Sequence, residues 1–277
     1  MSLALNPWTK VRNFYRRKSA SVVFKRPLAI KSDSPLISFT FDDFPRSALF
    51  TGGEILNRYG LTGTYYVSLG LAGTETPTGT MFVHDDLRIA LEQGHELGCH
   101  TYPHCHSWQT DPITFEQAVV ENQRALSRVL PEAKFETFSY PISPPRPRSK
   151  QKIARHFLCC RGSGQTLNSG IADLNQLSAF FLEQSRDSLA TVKDMIDRNA
   201  EARGWLIFAT HDVTEQPTRY GCTPQFFTAV VEYAIHSGAK IMPITSAVRE
   251  LIQQQRPELH AEAGRLPAQN AGLRAGT

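Results

Sequence analysis

Short apolar segments alternate with amphipathic segments along most of the chain. Six apolar segments have the length of buried strands, and they cover residues 36–41, 62–68, 135–140, 158–161, 205–210 and 240–244. Three amphipathic helices are predicted between them, and each follows a residue suited to cap its first turn: Asp111, Ser188 and Thr223. Strands that alternate with helices over short connections predict an α/β fold with a mostly parallel sheet, either open or closed into a barrel.

The two ends of the chain lack this alternation. Residues 1–32 contain no acidic residue and eight basic ones, which are Lys10, Arg12, Arg16, Arg17, Lys18, Lys25, Arg26 and Lys31. We therefore predict a basic N-terminal extension over residues 1–34, a central domain over residues 35–255 and a flexible C-terminal tail over residues 256–277. The extension is either a solvated segment packed loosely on the domain or a site of weak contact with an anionic membrane surface, nucleic acid or an acidic polymer.

Composition narrows the class of protein. Of the 277 residues, 41% are hydrophobic and 20% are charged, which is typical of a globular domain and excludes fibrous or wholly disordered chains. No segment approaches the ~20 apolar residues of a membrane-spanning helix, and the first residues lack the pattern of a secretory signal. Five cysteines without regular spacing favour a reducing compartment, so the predicted location is cytoplasmic. The net charge of +4 comes with no nucleic-acid-binding motif, so nucleic acid is not an expected partner.

Two adjacent carboxylates, Asp42 and Asp43, follow the predicted strand 36–41. Polar residues just after a strand of a parallel sheet lie at its carboxyl edge, where ligands bind. Neighbouring carboxylates repel each other unless a cation or a donor separates them, so one can bind a metal ion while the other acts as a base. The structural alternative is an Asp-rich turn or helix cap.

A histidine pair, His100 and His104, lies in the sequence Gly-His-Glu-Leu-Gly-Cys-His-Thr-Tyr-Pro-His. This spacing lets two imidazoles converge on one cation from a single turn of chain. Pro103 favours a loop over a regular helix at this point. Nearby candidate ligands are expected to be structural, with Cys99 in the core and His95 at the start of a strand.

A third apolar strand, residues 205–210, leads directly to His211 and Asp212. A histidine at this edge is commonly a surface residue, but beside a metal ion it is suited to act as a general acid near neutral pH. The three clusters together are more specific than any one of them alone.

In this combination the chain resembles the metal-dependent polysaccharide deacetylases, the nodulation-type deacetylase domain of carbohydrate esterase family 4. The similar segments, in the family's order, are Thr40-Phe41-Asp42-Asp43, the stretch from Gly94 to His104, Phe138-Ser139-Tyr140-Pro141 and Thr210-His211-Asp212. The resemblance covers roughly residues 35–250. It implies a distorted (β/α) barrel with about seven strands, and it makes residues 35–255 a catalytic domain.

The resemblance also implies roles for the matching residues. It implies that Asp42 is the catalytic base and His211 the catalytic acid. Asp43, His100 and His104 would be the ligands of one divalent metal ion. Tyr140 and Pro141 would lie at the substrate, with the backbone N–H of Tyr140 holding the oxyanion. The metal is usually zinc in this family, with cobalt, nickel or manganese as alternatives. The implied activity is removal of N-acetyl groups from an amino sugar in an oligosaccharide, a polysaccharide or a lipid-linked glycan.

The chain also departs from the family pattern. Many members have an Arg in the third motif, where this chain has Ser139-Tyr140, and we predict that Arg161 either reaches the base from another direction or is a surface residue. The usual fourth motif is missing, which leaves Asp173 and Asp212 as candidates to support His211. Phe44 stands where the family usually has Gly, so it is expected to narrow or reshape the mouth of the site.

Two other functions remain open at this stage. One is an amide hydrolase of the same fold that opens a small cyclic amide, such as an allantoin- or imide-like ring. The other is a catalytically inactive sugar-binding module, against which the complete set of acid, base and metal-ligand residues argues. The Pro- and Arg-rich loop over residues 141–148 favours an anionic or lipid-linked sugar.

Overall fold

The computed structural model describes residues 7–142 and 144–263. The strands in this part of the chain are β1 (Pro27–Ile30), β2 (Leu36–Phe41), β3 (Thr64–Val67), β4 (Glu75–Thr76), β5 (Gly79–Thr80), β6 (Glu96–Cys99), β7 (Thr137–Ser139), β8 (Cys159–Arg161), β9 (Gly170–Asp173), β10 (Phe180–Phe181), β11 (Trp205–Thr210) and β12 (Lys240–Ile241). The α-helices are α1 (Pro7–Val22), α2 (Glu54–Arg58), α3 (His84–Glu92), α4 (Pro112–Val129), α5 (Pro147–Ile153), α6 (Leu189–Ala202), α7 (Pro224–His236) and α8 (Ile244–Ala263).

Seven parallel strands form a curled half-barrel in the order β10-β11-β2-β3-β6-β7-β8. Strands β11 and β2 are neighbours in the interior of this sheet, and every residue of both is buried because helices cover the outside while side chains fill the inside. The predicted strand 240–244 is shorter than expected, since β12 pairs only with Leu36 and Ile37 of β2 before α8 begins at Ile244. The expected (β/α) barrel-like fold is confirmed.

Side-chain caps start the three helices predicted from the amphipathic pattern. Asp111 accepts hydrogen bonds from the backbone N–H groups of residues 113 and 114 at the start of α4. Ser188 caps α6 and Thr223 caps α7 in the same way. These bonds satisfy N–H groups that the first turn of a helix leaves without a partner, so the local sequence determines where each helix begins.

Glu96 joins several elements at the amino ends of the strands, opposite the carboxyl edge. Its carboxylate accepts hydrogen bonds from the hydroxyl groups of Thr64, Thr137 and Thr245, at 3.0, 2.6 and 2.7 Å. Burial raises the pKa of Glu96, although these hydrogen bonds act in the opposite direction. The glutamate of the Gly-His-Glu-Leu-Gly segment is therefore a structural link between β3, β6, β7 and α8.

Both predicted terminal segments contain regular structure. Within residues 1–34, α1 covers Pro7–Val22 and β1 pairs antiparallel with β9. Within residues 256–277, α8 continues to Ala263, and the rest of the predicted tail lies outside the described residues. Among the described helices, none is long and apolar enough to cross a membrane.

Candidate active site

Three interior strands bring the predicted site residues to one edge of the half-barrel. Asp42 and Asp43 follow β2, His100 follows β6 and His211 follows β11. The backbone N–H of Asp42 donates to the carbonyl oxygen of Thr210 at 2.9 Å, so the ends of β2 and β11 are held side by side. Parallel strands place their carboxyl ends at the same edge, which explains why residues distant in sequence meet here.

Asp43, His100 and His104 form a compact cluster whose candidate ligand atoms lie within 4.8 Å of one another. Asp43 Oδ1 lies 3.1 Å from His104 Nε2 and 3.6 Å from His100 Nε2. His100 Nδ1 donates to the carbonyl oxygen of Ser139 at 2.8 Å, which leaves its Nε2 lone pair facing the cluster. Two imidazole nitrogens and one carboxylate oxygen are a common three-ligand set for a catalytic divalent cation.

The electrostatics of the cluster fit a bound cation. Burial lowers the pKa of His100 to about 4, so its ring is neutral near neutral pH. Burial lowers the pKa of His104, but its hydrogen bond and ion pair with Asp43 outweigh this and the pKa rises. Asp43 Oδ1 is buried, and its neighbours among the described residues are the two imidazole nitrogens at 3.1 and 3.6 Å. A buried carboxylate oxygen that faces two imidazole nitrogens is the expected position of a metal ligand, since a buried negative charge needs a positive partner.

The ligand segments have unusual backbone conformations. Asp43, Thr101 and His104 have positive φ angles of 64°, 62° and 55°, although none of them is a glycine. Such conformations persist where the surrounding structure enforces them, and they cluster at functional sites. The hydroxyl of Thr101 accepts a hydrogen bond from the backbone N–H of Cys105 at 3.0 Å, which braces the turn between the two histidines.

A hairpin that the sequence did not predict covers the cluster. Strands β4 and β5 pair antiparallel, and the turn between them places Thr78 over Asp43. The Thr78 hydroxyl donates to Asp43 Oδ2 at 3.1 Å, which leaves Oδ1 directed at the two histidines. The signal in the sequence is Thr76-Pro77-Thr78-Gly79-Thr80, in which Gly79 takes a φ of 113° at the turn.

Arg161 orients Asp42, the predicted base. The end of β8 directs its Nη2 to Asp42 Oδ1, and the same nitrogen donates to the hydroxyl of Ser139 at 2.6 Å. Burial alone raises the pKa of Asp42, but the charge of Arg161 and the nearby His100 and His211 outweigh burial, so the pKa lies below its usual value. The carboxyl group is therefore ionised near neutral pH, and Arg161 is at the site rather than on the surface.

His211 faces the same cavity, and the loop after it determines its orientation. His211 Nδ1 donates to the carbonyl oxygen of Tyr220 at 3.1 Å. The carboxylate of Asp212 does not contact the His211 ring. It accepts hydrogen bonds from the backbone N–H and the hydroxyl of Thr218, both at 2.7 Å. A Cβ at Gly221 would lie 2.2 Å from Asp212 Oδ1, so this loop requires glycine there. Asp212, one of the two candidates to support His211, thus acts through the loop and not by direct contact with the ring.

Asp173, the other candidate to support His211, belongs to a different part of the molecule. Its carboxylate forms an ion pair with the fully buried Lys150, with Nζ and Oδ2 2.6 Å apart. It also accepts the backbone N–H of Arg26 at 2.9 Å, which joins the N-terminal segment to β9. Asp173 therefore links the N-terminal segment to the body of the domain through Arg26 and Lys150.

The expected oxyanion donor at Tyr140 is wrong. Its backbone N–H donates to the carbonyl oxygen of Arg161 at 3.0 Å, which continues the pairing of β7 with β8. Pro141 is buried and has no N–H group. The next residue, Ile142, lines the cavity and has a φ of 71°, so the chain turns sharply beside the site.

Phe44 does not narrow the mouth of the site, contrary to expectation. Its side chain is completely buried, and its ring packs against Phe82 and Tyr65 with centroid distances of 5.2 and 4.7 Å. Its φ of 62° explains why glycine suits this position in other sequences, since glycine adopts positive φ without strain. The ring points into the core because the backbone turns at Asp43 and Phe44.

The site opens into a cavity of about 570 Å³. The residues lining it include the cluster residues, Asp42, His211, the hairpin residues Thr76, Pro77 and Thr78, and the apolar side chains Leu71, Ile142 and Phe181. This volume is within the range of pockets that hold a small molecule or one or two sugar units. Polar groups therefore stand at one end of a largely apolar cleft.

Glu183, which the sequence did not single out, lies near the base. Burial raises its pKa to about 8, and its Oε2 has no hydrogen-bond partner among the described residues. Its carboxyl group is therefore mostly neutral near neutral pH, and it does not compete with Asp42 for the positive charge of Arg161. No pattern in the sequence distinguishes Glu183 from other acidic residues.

The other candidate ligands are structural, as expected. His95 lies just before β6, accepts the backbone N–H of Gly63 at 3.1 Å and has its pKa lowered to about 4 by burial. Cys99 is buried in the core, and burial raises the pKa of its thiol to about 12. All five cysteines are free thiols.

Comparison with known proteins identifies the fold. Residues 29–156 match the family model described as polysaccharide deacetylase. This match includes Asp42, Asp43, His100 and His104, whereas Arg161 and His211 lie beyond it. No curated protein sequence matches the chain.

Several solved structures share the fold at low sequence identity. The Xyl-CE4 domain of a multidomain xylanase from the hindgut metagenome of Trinervitermes trinervoides is 17% identical, with a TM-score of 0.57 over 79% of this chain and 91% of that one. Peptidoglycan deacetylase PdaC from Bacillus subtilis is 16% identical, with a TM-score of 0.55 over 83% and 98%. A family 4 acetyl xylan esterase from Clostridium thermocellum, solved with a cobalt ion, is 16% identical, with a TM-score of 0.52 over 76% and 89%.

At these identities the structural likeness establishes the fold alone, while the sequence match establishes the family of the segment that carries the Asp and His cluster. The resemblance stated from the sequence is thereby confirmed: residues 29–156 belong to the polysaccharide deacetylase family, and the half-barrel that contains them has the family 4 carbohydrate esterase fold.

Proposed function

We propose that the protein is a metal-dependent N-deacetylase that releases acetate from an N-acetylated amino sugar. The observation that carries this proposal is the arrangement of Asp42, held by Arg161, beside the cluster of Asp43, His100 and His104. A fixed carboxylate base next to a three-ligand metal site is the arrangement needed for hydrolysis of an unactivated amide. Membership of the deacetylase family supports the substrate class.

Asp43, His100 and His104 fit one divalent cation, and we propose zinc. The fit rests on the buried Asp43 Oδ1 and on the neutral His100, whose Nε2 lone pair faces it. When bound, the cation would act as a Lewis acid toward the acetyl carbonyl and would make a water molecule more acidic. Three protein ligands leave further coordination positions open for substrate and water, as in catalytic sites generally.

The remaining steps belong to residues of this chain. Asp42 accepts a proton from the attacking water, and Arg161 keeps the carboxylate aimed at that position. The backbone N–H of Ile142 is the donor we assign to the carbonyl oxygen of the substrate. His211 protonates the leaving amine, because its Nδ1 is committed to the carbonyl oxygen of Tyr220 and its Nε2 is the nitrogen left for the substrate.

The five free thiols support a reducing compartment, and we propose a cytoplasmic location. A substrate made or displayed at the inner side of a membrane, such as a lipid-linked amino sugar, fits that location.

Acetate release by the purified, zinc-loaded protein tests the proposed function. We expect one equivalent of zinc per chain and acetate production from N-acetylated amino-sugar substrates. The parallel assays use an O-acetylated sugar and a small cyclic amide, for which ring opening is measured instead of acetate. Turnover of the O-acetylated sugar alone, or of the cyclic amide alone, would contradict the assignment as an N-deacetylase. Zinc binding without turnover of any substrate would favour a sugar-binding module.

Thr78→Val tests how the hairpin supports the metal site. Because valine has nearly the same shape as threonine but cannot donate to Asp43 Oδ2, we expect zinc affinity to fall by about 10- to 100-fold. Thr78→Ser keeps the hydroxyl and should keep the affinity. Both are measured as zinc dissociation constants in competition with a chelating dye.

The matched control for this prediction is Thr80→Val in the same hairpin. The Thr80 hydroxyl donates to Glu75 at 2.6 Å, away from Asp43, so its loss should leave zinc affinity unchanged. An equal loss of affinity in both valine variants would mean that the hairpin as a whole, rather than the Thr78 hydroxyl, matters.

A further inference from the structure

The N-terminal helix α1 exposes an unusual number of large apolar side chains. Trp8, Val11 and Phe14 retain 80%, 60% and 68% of their accessible surface, and Tyr15 and Val22 are also mostly exposed. Positions 8, 11, 15 and 22 are three, four and seven residues apart, so they share one face of the helix. Contiguous exposed apolar surface of this kind marks a binding face.

The charge around this face identifies the partner that it fits. The first 32 residues contain eight Lys and Arg residues and no acidic residue, and the side chains of Lys18 and Lys25 are exposed. A helix with aromatic residues on one face in a basic segment is typical of a helix that lies in the interface of an anionic bilayer. Nucleic acid would satisfy the basic residues but would leave the aromatic and aliphatic face in water.

We propose that α1 docks the protein onto the surface of an anionic lipid bilayer and brings the mouth of the catalytic cavity to that surface. Membrane docking goes beyond the proposed deacetylase function, since binding of a bilayer requires none of the catalytic residues.

Helix α1 is fastened to the barrel, so it presents this face in a fixed orientation. Ala20 is completely buried, and its carbonyl oxygen accepts a hydrogen bond from Lys150 Nζ at 2.7 Å. Lys150 is itself buried and paired with Asp173. Nearer the start of the helix, the ring of Tyr15 meets the edge of Trp108 with a centroid distance of 6.4 Å. Ala20 and Tyr15 therefore fix the helix to the domain, while the side chains of Trp8, Val11 and Phe14 remain exposed.

A groove connects α1 with the catalytic cavity. The helix contributes Phe14, Lys18 and Ser21 to one wall of this groove. Its other wall includes Ile142, Ser163, Phe181 and Gln184, which also line the catalytic cavity. Docking through α1 therefore brings the cavity close to headgroups and to any sugar attached to a lipid.

Flotation with lipid vesicles tests the proposal on the full chain. We expect the protein to float with vesicles of phosphatidylcholine and phosphatidylglycerol, to stay behind with phosphatidylcholine alone, and to bind more weakly as salt is raised. The double variant Val11→Ser, Phe14→Ser removes apolar surface without changing charge. It should bind the anionic vesicles at least about tenfold more weakly.

Ile235→Ser is the control, because this exposed residue lies on α7, which packs against α2 and α6 rather than α1. It should bind vesicles like the unaltered protein. The proposal is overturned by absence of binding to anionic vesicles, by equal binding to neutral ones, or by undiminished binding of the double variant. Retention on duplex DNA without vesicle binding would assign the surface to nucleic acid.

Acetate release from a soluble substrate is measured in parallel. Normal hydrolysis without vesicle binding contradicts the membrane proposal alone, and vesicle binding without hydrolysis contradicts the proposed function alone.

Discussion

Asp42→Asn is expected to lower the rate of acetate release by about 100-fold or more, because general-base catalysis typically contributes 10²–10⁴-fold. The amide of asparagine cannot take the proton from water at neutral pH. It still offers an oxygen to Arg161, but the buried guanidinium loses its opposite charge, so the thermal unfolding midpoint should fall and is measured beside the rate. Zinc content should stay near one equivalent, since the cluster of Asp43 and the two histidines is intact. Initial rates and metal analysis of the same preparations provide the measurement.

Asp111→Asn serves as the matched control for this change. Asp111 caps α4 on the surface, and asparagine caps helices about as well as aspartate, so neither rate nor stability should change. If Asp42→Asn loses its zinc, or if it keeps more than about one tenth of the activity, Asp42 is not the general base.

His104→Ala is expected to remove most of the bound zinc and, with it, nearly all activity. Only two of the three side-chain ligands remain in the variant, and Asp43 loses the 3.1 Å contact that holds its Oδ1. His104 is the better choice for this test than His100, because its side chain is 25% exposed whereas that of His100 is only 2% exposed. Loss of packing should therefore be small. Zinc stoichiometry after dialysis and the thermal unfolding midpoint measure the two effects separately.

His156→Ala is the control for His104→Ala. It also removes a histidine bonded to a carboxylate, since His156 Nε2 lies 2.9 Å from Glu116, but neither residue of this pair belongs to the cluster. Zinc content and activity should be unchanged. Stoichiometric zinc in His104→Ala would contradict the assigned ligand set.

The metal cluster and the base were predictable because their signals are local. Asp42 and Asp43 directly follow an apolar strand, and His100 and His104 are separated by a single turn of chain. Strand termini in a parallel sheet lie at one edge, so a local pattern was sufficient to expect that these groups meet. Their assigned roles as base and ligands stay predictions until the variants are measured.

Contacts between distant segments were not predictable in the same way. Thr78 approaches Asp43 only because β4 and β5 fold into a hairpin over the carboxyl edge. Asp212 supports His211 through the loop closed by Thr218, and Asp173 pairs with Lys150 elsewhere in the molecule. Short polar residues of this kind are frequent in loops, so the sequence carries no signal that distinguishes their partners.

Backbone geometry also reversed two expectations. Phe44 points inward because Asp43 and Phe44 both adopt positive φ, which a strand-then-turn pattern does not reveal. The backbone N–H of Tyr140 donates to the carbonyl oxygen of Arg161 because the pairing of β7 with β8 continues past Ser139, the last residue of β7. Hydrogen bonding of a backbone group depends on strand register, and register is set by the neighbouring strand.

The sequence by itself determined the α/β class, the order of six strands and three helices, the starts of those helices and the residues of the Asp and His cluster. These features follow from the periodicity of apolar residues, from the side chains that cap helices and from the spacing of the polar residues, all of which are local in the sequence. Only the tertiary structure decided that Arg161 serves Asp42, 119 residues away. From the sequence, Arg161 before Gly162 is equally suited to the protein surface. Curling of the sheet is what brings the end of β8 and Ser139 close to Asp42. Burial favours the pairing of Arg161 with Asp42, because a buried guanidinium and a buried carboxylate are each strongly unfavourable alone and stable together.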